Sequence, residues 1–340
     1  MTDPHVHFRD WNQSSKETVY HGMLTGALAG FDVFFDMPNT DPAVTTRETV
    51  LRRLELGADA EKKLESQGRE VHYHLYCGIT PDPTQLAEMV TAYRDFFPRV
   101  CGLKMFASQS TGNMGITAED AQAMIYMTLA ELGYTGVLAV HCEKEALFNL
   151  SASRHSDRRP PESEAQSVRD QIAFAESAGF AGTLHIAHIS TKGALDEVRA
   201  ARQRGKIKIT CGATPHHILL SREAESQILK MNPPLRPEED RLAVWNALFD
   251  GTVNWIESDH APHTLEDKKN GASGIPGFEG MLRVICALRV AVMLEKRISE
   301  LLCTNVLKAF GINEKTSLVP DITAEMISAA HNAYPFSAWN

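Results

Sequence analysis

The sequence predicts an α/β protein of the (β/α)8, or TIM-barrel, class. Eight short apolar or β-rich runs alternate with longer helical stretches, and eight parallel strands are the number that closes such a barrel. No G-x-G-x-x-G or phosphate-loop motif follows any of the runs, which disfavours a doubly wound nucleotide-binding sheet. At 340 residues the chain exceeds the usual domain size but suits one barrel. A single domain over 1–340 is therefore expected, with a C-terminal extension from about 310 to 340.

The strands are placed in chain order at 3–8, 31–38 (FDVFFDMP), 71–79 (VHYHLYCGI), 100–107 (VCGLKMFA), 137–143 (VLAVHCE), 183–190 (TLHIAHIS), 207–213 (IKITCGA) and 254–259 (NWIESD). Aromatic and β-branched residues dominate them, as half- or fully buried strands require. Helical segments fall between them at 45–67, 83–97, 118–133, 164–179, 192–204 and 239–249. Two segments read as extended loops on the C-terminal face, where barrel enzymes do their chemistry. Residues 107–117 (ASQSTGNMGIT) resemble a lid in composition, and residues 261–280 (APHTLEDKKNGASGIPGFEG) are longer still. The tail reads as a terminal helix and a docked aromatic end, "NAYPFSAW".

Composition narrows the function. Hydrophobic residues make up 43% of the chain, enough for a sizeable core, and the formal charge of −9 argues against a nucleic-acid surface. Six scattered cysteines with no C-x-x-C pair read as reduced thiols of a cytoplasmic protein. No signal peptide or long apolar run is evident, so no membrane partner is expected.

The chemistry sits at strand ends. "DPHVHFRD" puts His5, His7 and Arg9 at a period of two, so on a strand all three face one way. The fourth strand carries Lys104, the fifth His141, the sixth His188 and the eighth Asp259. A lone histidine of this kind is usually structural, but a closed barrel brings His5, His7, Lys104, His141, His188 and Asp259 together. Imidazoles plus a carboxylate suit zinc, and the ligand count suggests two ions. A protonated Lys104 could not join them; a carbamate formed with carbon dioxide could bridge both. The alternative is a lysine that neutralises carboxylates or reaches solvent from the rim.

This set resembles the amidohydrolase superfamily, and within it the dihydroorotases. "HVHFRD", "DMPNT", "GLKMF", "AHIST", "KMNPPLR", "SDHAPH" and "GIPGFE" match that family's elements over residues 3 to about 280. The resemblance implies that His5, His7 and Asp259 hold the more buried zinc ion, His141 and His188 the second, and N6-carboxylated Lys104 bridges the two. It implies that Arg9, Asn39 and His263 bind the substrate carboxylate, that Asn232 and the Gly277–Phe278 turn line the ring, and that Thr111 belongs to a closing loop. The implied reaction is the zinc-dependent, reversible cyclisation of N-carbamoyl-L-aspartate to (S)-dihydroorotate plus water, in de novo pyrimidine biosynthesis. A hydroxide bridging two Zn2+ ions is the implied nucleophile and Asp259 the general acid and base. Arg9 offers a planar fork for a carboxylate that lysine could not copy. A small-molecule substrate and a homo-oligomer, a dimer, are implied with it.

The chain departs from longer members, whose flanking segments build a small β-sandwich; it starts too late for a substantial one, and its first strand has little lead-in. Some relatives carry aspartate in place of the lysine. The competing readings are another cyclic amidohydrolase, a hydantoinase or allantoinase, which shares the metal ligands, and a non-catalytic scaffold, against which the intact ligand set argues. Other polar residues read as structural: His72 and His74 at the wrong end of the third strand, His185, His216–His217 and His260 facing elsewhere, Cys142 turned outward, and Asp36 in a hydrogen bond. Glu143 stands either behind the ligands or at a helix start.

Overall fold

Strands buried on both faces need parallel neighbours covered by helices, and the eight runs satisfy this by pairing in sequential order. A computed structural model describes residues 1–109 and 113–339. Its sheet runs β1 (Thr2–Val6), β2 (Val33–Asp36), β3 (His72–Gly78), β4 (Val100–Phe106), β5 (Val137–His141), β6 (Thr183–Ile186), β7 (Lys208–Ala213) and β8 (Trp255–Ile256), each parallel to the next. The last strand meets the first just beyond β8, where the His7 N–H donates to the His260 carbonyl at 2.7 Å. This (β/α)8 barrel is the architecture expected from the strand count. Among the described residues no helix is long and apolar enough to cross a membrane.

Local chemistry sets the helices that cover it. Thr46 and Thr49 form a reciprocal capping box for the helix Arg47–Glu65, with Glu48 in its first turn and Lys62 and Lys63 in its last. Asp82 caps the helix Pro83–Phe96, whose proline occupies the first turn without losing a hydrogen bond. Thr191 opens Lys192–Arg204, and Gly205 closes it at φ 63°, a left-handed value that glycine adopts without strain.

Two expectations change, on strand length and on the 261–280 segment, while the tail follows its expected course. The sixth and eighth strands stop at Ile186 and Ile256, short of 190 and 259. Beyond them His188 (φ 40°) and Asp259 (φ 48°) adopt left-handed backbone, which ends a strand and re-aims the side chain. Histidine and aspartate tolerate this region better than most residues, and it persists only where the surroundings over-determine it. The 261–280 segment is not one extended loop. Thr264 and Asp267 build a capping box for a short helix, Leu265–Lys269, and a longer helix, Phe278–Val290, begins within the segment. The tail carries the helix Ala324–Asn332 and then an aromatic stretch packed on the barrel.

Candidate functional site

The mouth of the barrel holds a cleft of about 370 Å3, open water at its entrance included. His5, His7, Arg9, Asn39, His141, His188, Asn232 and Asp259 line it, together with Phe106, Ala261, Ser273 and Gly274. Residues from 5 to 274 thus converge because each lies at a strand's C-terminal end or in the loop that follows one.

Two ligand groups face each other within the cleft. One nitrogen of His5, one of His7 and one oxygen of Asp259 lie within 4.8 Å of one another. His5 Nε2 is 3.3 Å from His7 Nε2, which is 3.0 Å from Asp259 Oδ1. His7 Nδ1 sits 2.6 Å from the Asn39 side-chain oxygen. That oxygen can only accept, so Nδ1 carries the proton and the Nε2 lone pair of neutral His7 points at Asp259. In the second group, His141 Nδ1 is 3.1 Å from His188 Nε2. His141 Nε2 donates to Glu143 at 3.0 Å, which leaves Nδ1 as the lone pair facing His188. In the first group acceptors face acceptors and repel unless a cation or proton lies between them; in the second, His188 Nε2 either donates to His141 Nδ1 or turns its own lone pair to a cation. The donor chemistry therefore fits two metal ions.

Lys104 completes the fit. It is fully buried, and its Nζ is without a hydrogen-bond partner among the described residues. An ammonium left so costs several kcal/mol, and burial pulls its pKa down to about 8 against the pull of Glu257 and Asp259. A neutral amine is the form that carbon dioxide captures.

Electrostatics keep the imidazoles ready to ligate. Burial, then the charge of Lys104, pushes His5 down to about 4. Burial, then His141, holds His188 well below its ordinary value, and burial lowers His141. Burial opposes the ionisation of Asp259, but the adjoining His7 and His5 rings hold it well below the usual carboxylate range. Neutral imidazoles and an ionised carboxylate are what a metal requires.

The anion end lies opposite. Arg9 is 1% exposed, its Nε donates to the Pro262 carbonyl at 3.2 Å, and its Nη2 lies 3.4 Å from His263 Nε2. His263 is buried behind Arg9 and donates from Nε2 to the Ser273 carbonyl at 3.0 Å. Asn232 receives a hydrogen bond from His155 Nε2 at 2.9 Å, which leaves its amide donors to point elsewhere. Gly277 and Phe278 are not among the lining residues. The Phe278 ring is buried against Phe31, Phe34 and His260, so the expectation that it lines the substrate ring gives way to a packing role. Thr111 lies outside the described residues.

The residues read as structural are placed as follows. His74 Nδ1 donates to the Pro98 carbonyl at 2.8 Å and His72 Nδ1 lies 3.5 Å from Glu314, both at the start of β3. Asp36 binds Arg53, Tyr73 and the Phe8 N–H. His217 holds Thr214 and the Pro233 carbonyl. Glu143 stands behind His141 and is itself clasped by Arg159.

Sequence reasoning missed Glu257. Its buried carboxylate accepts from the His188 N–H at 2.5 Å, Trp255 Nε1 at 2.9 Å and His185 Nε2 at 3.1 Å, and lies 3.4 Å from His5 Nδ1. Gly212 makes the room: a Cβ there would fall 2.4 Å from Glu257 Oε2. The signal was present, since "ESD" sets Glu257 two residues before Asp259, the same-side spacing used for His5 and His7.

No family model matches the chain. It is 32% identical over 373 residues to a dihydroorotase of Lactiplantibacillus plantarum, covering all of this chain and 82% of that one. It is also 32% identical over 338 residues to a dihydroorotase of Methanosarcina mazei, covering 92% and 69%. Among solved structures, an L-hydantoinase from Arthrobacter aurescens superposes with a TM-score of 0.79 at 22% identity, over 94% of this chain and 72% of that one. A dihydroorotase from Campylobacter jejuni gives 0.71 at 19% identity, over 92% and 84%. These structural likenesses establish the fold. The sequence identities, sustained over nearly all of the chain, go further: it belongs to the dihydroorotase family.

Proposed function

We propose that the chain is a dihydroorotase that interconverts N-carbamoyl-L-aspartate and (S)-dihydroorotate. The observation that carries this reading is one cleft with two metal-ready ligand groups around the unpaired Lys104 amine and a buried arginine at its other side. In this reading His5, His7 and Asp259 would hold one Zn2+ and His141 and His188 the other. Lys104, N6-carboxylated when its neutral amine adds to carbon dioxide and sheds a proton, would bridge them. When bound, the ions supply Lewis-acid polarisation of the ring carbonyl and acidify the attacking water.

The chain's own residues do the rest. Arg9 holds the substrate carboxylate through its Nη atoms, because Nε is already committed to Pro262. Asn39 keeps the His7 tautomer fixed. Asp259, ionised in the resting site, takes the proton of the attacking water and delivers it to the departing ring nitrogen. In the direction of ring closure the reacting carboxyl enters protonated, and Asp259 removes the proton from the carbamoyl nitrogen as it attacks and passes it to the leaving hydroxyl, so water departs. His263 supports Arg9 from behind. Asn232 shapes the wall, and Gly277 and Phe278 support it from behind by packing.

The whole chain is read as one barrel domain with a C-terminal extension. Its six free cysteines, five of them buried, support a reducing, cytoplasmic location. Val290, Val292, Leu294 and Leu318, each at least 76% exposed, support a homo-oligomer, which sizing chromatography would test. The function is tested by metal analysis of the purified protein together with an ultraviolet assay of dihydroorotate ring opening, run beside hydantoin and allantoin. Two equivalents of zinc and selective opening of dihydroorotate are expected. Preference for either neutral ring would overturn the reading.

A further inference from the structure

The aromatic tail is not absorbed by the chemistry, yet it packs against the segments behind the substrate side of the cleft. Tyr334 donates to Glu17 Oε1 at 2.5 Å and its hydroxyl lies 3.1 Å from His260 Nε2. His331 and Ser337 both reach Glu279 Oε2, at 3.1 and 2.7 Å. The Phe336 ring lies 5.9 Å from the buried Lys268 ammonium. Ala338 is buried with Met231, Leu235 and Ile275, and Trp339 packs on the same cluster. Gly280 is needed for this docking, because a Cβ there would come within 2.3 Å of the Trp339 ring.

Two partners of the tail, His260 and Lys268, hold pieces of the substrate side. His260 Nδ1 accepts the Gly277 N–H at 3.0 Å, so its Nε2 carries the proton given to Glu17, and its ring stacks on Phe278 at 4.4 Å. Lys268 donates to the carbonyls of Lys230, Ala272 and Gly274, at 2.9, 3.0 and 2.9 Å. One ammonium thus ties the segment carrying Asn232 to the turn that carries Ser273, the acceptor of His263. Both turns border the cleft.

We infer that residues 331–339 are a positioning strap for substrate binding: through Glu17–His260 and over Lys268 they set the backbone against which the carboxylate and ring are held, without touching substrate. The inference rests on the dihydroorotase reading, and its test includes one measurement that does not. Two variants of the full chain serve, Tyr334→Phe, which removes a single hydroxyl, and Trp339→Ala. Both should raise the Michaelis constant for dihydroorotate by roughly 10-fold, with kcat within about 3-fold of wild type and zinc content unchanged, because a sub-ångström shift of positioning groups acts on binding. Trp339→Phe should restore most of the loss. Amide exchange at Gly274 and Gly277 should quicken in Trp339→Ala while β4 and β5 stay protected. An unchanged Michaelis constant with only a lowered melting temperature would reduce the tail to packing. Unaltered exchange at those two amides overturns the strap whether or not dihydroorotate is the substrate; failure of wild-type protein to open dihydroorotate, with the exchange effect present, removes the functional reading alone.

Discussion

Replacing Arg9 by methionine separates anion recognition from metal chemistry. The side chain is buried to 1% exposure and its Nε is occupied by the Pro262 carbonyl, so only the two Nη atoms remain to grip a carboxylate. A hydrogen bond to a charged partner contributes about 1.5–3 kcal/mol, and a parallel pair inside a cleft reaches about 3 kcal/mol once the cost of desolvation is set against it. That corresponds to a loss of roughly 10²-fold in kcat/KM for dihydroorotate, concentrated in the Michaelis constant. Arg9→Lys keeps the charge but loses the fork and should recover only part of it. Steady-state rates followed by ultraviolet absorbance, with zinc measured on the same samples, give the readout. Dihydrouracil, the same ring without a carboxylate, is the internal control and should be opened equally by wild type and variant. Burial lowers the pKa of Arg9 against the charges of Glu17, Asp259, Asp36 and Asp267, so its charge costs the folded state and its replacement should not destabilise the fold on that account. The reasoning fails if dihydroorotate and dihydrouracil lose rate in parallel, or if zinc is lost with the arginine.

Three further outcomes follow from the same geometry. Asp259→Asn is nearly isosteric and asparagine accepts the left-handed backbone at φ 48°, so the fold should persist by circular dichroism while kcat falls by about 10³-fold; near-normal turnover would remove Asp259 as proton carrier. Glu257→Gln should weaken zinc binding by roughly 10–100-fold in a chelator competition, since outer partners orient the ligating imidazole; an unchanged affinity would limit Glu257 to packing. Lys104 sits at about 8 in the folded protein against 10.5 for a free lysine. Between those values the unfolded chain binds a proton the native one lacks, so the stability of metal-free protein should rise with pH from about 8 towards 10.5. The burial penalty is fully present below pH 8. Lys104→Met should flatten that slope in denaturant melts, and a parallel slope in the variant would assign the titration elsewhere.

Period and spacing carried most of the architecture. The helix Arg47–Glu65 was legible because its amphipathic stretch is bracketed by a threonine cap and a lysine-bearing last turn, both local signals. The convergence of His5, His141, His188 and Asp259 was legible because closure of a sheet is a property of strand number, which is countable along the chain. Strand length was not. Residues 183–190 and 254–259 look like uninterrupted strands, but the left-handed turns at His188 and Asp259 are imposed by partners remote in sequence. Glu257, sixty-nine residues from His188, holds one of them by the backbone N–H. The capping box at Thr264 was the opposite case, a local signal hidden inside a segment rich in glycine and lysine.

What escaped the sequence shares a physical cause. Metal ligands announce themselves by residue type, since few side chains can coordinate zinc. The residues that aim them do not, because any buried acceptor or donor at hydrogen-bond distance will serve. Asn39 orients His7 and Glu257 meets His5 from the far side, each from a different strand or loop, whereas Glu143 orients His141 from two residues along the same segment. Such partners obey the same demand that buried polar groups be satisfied, yet their spacing follows the tertiary path and no period. The Lys104 amine marks where that demand goes unmet by protein alone. His5 Nδ1 and His188 Nδ1 are likewise without a hydrogen bond among the described residues, and several such buried groups gathered around facing ligand atoms are what supports reading the centre as one that cations complete.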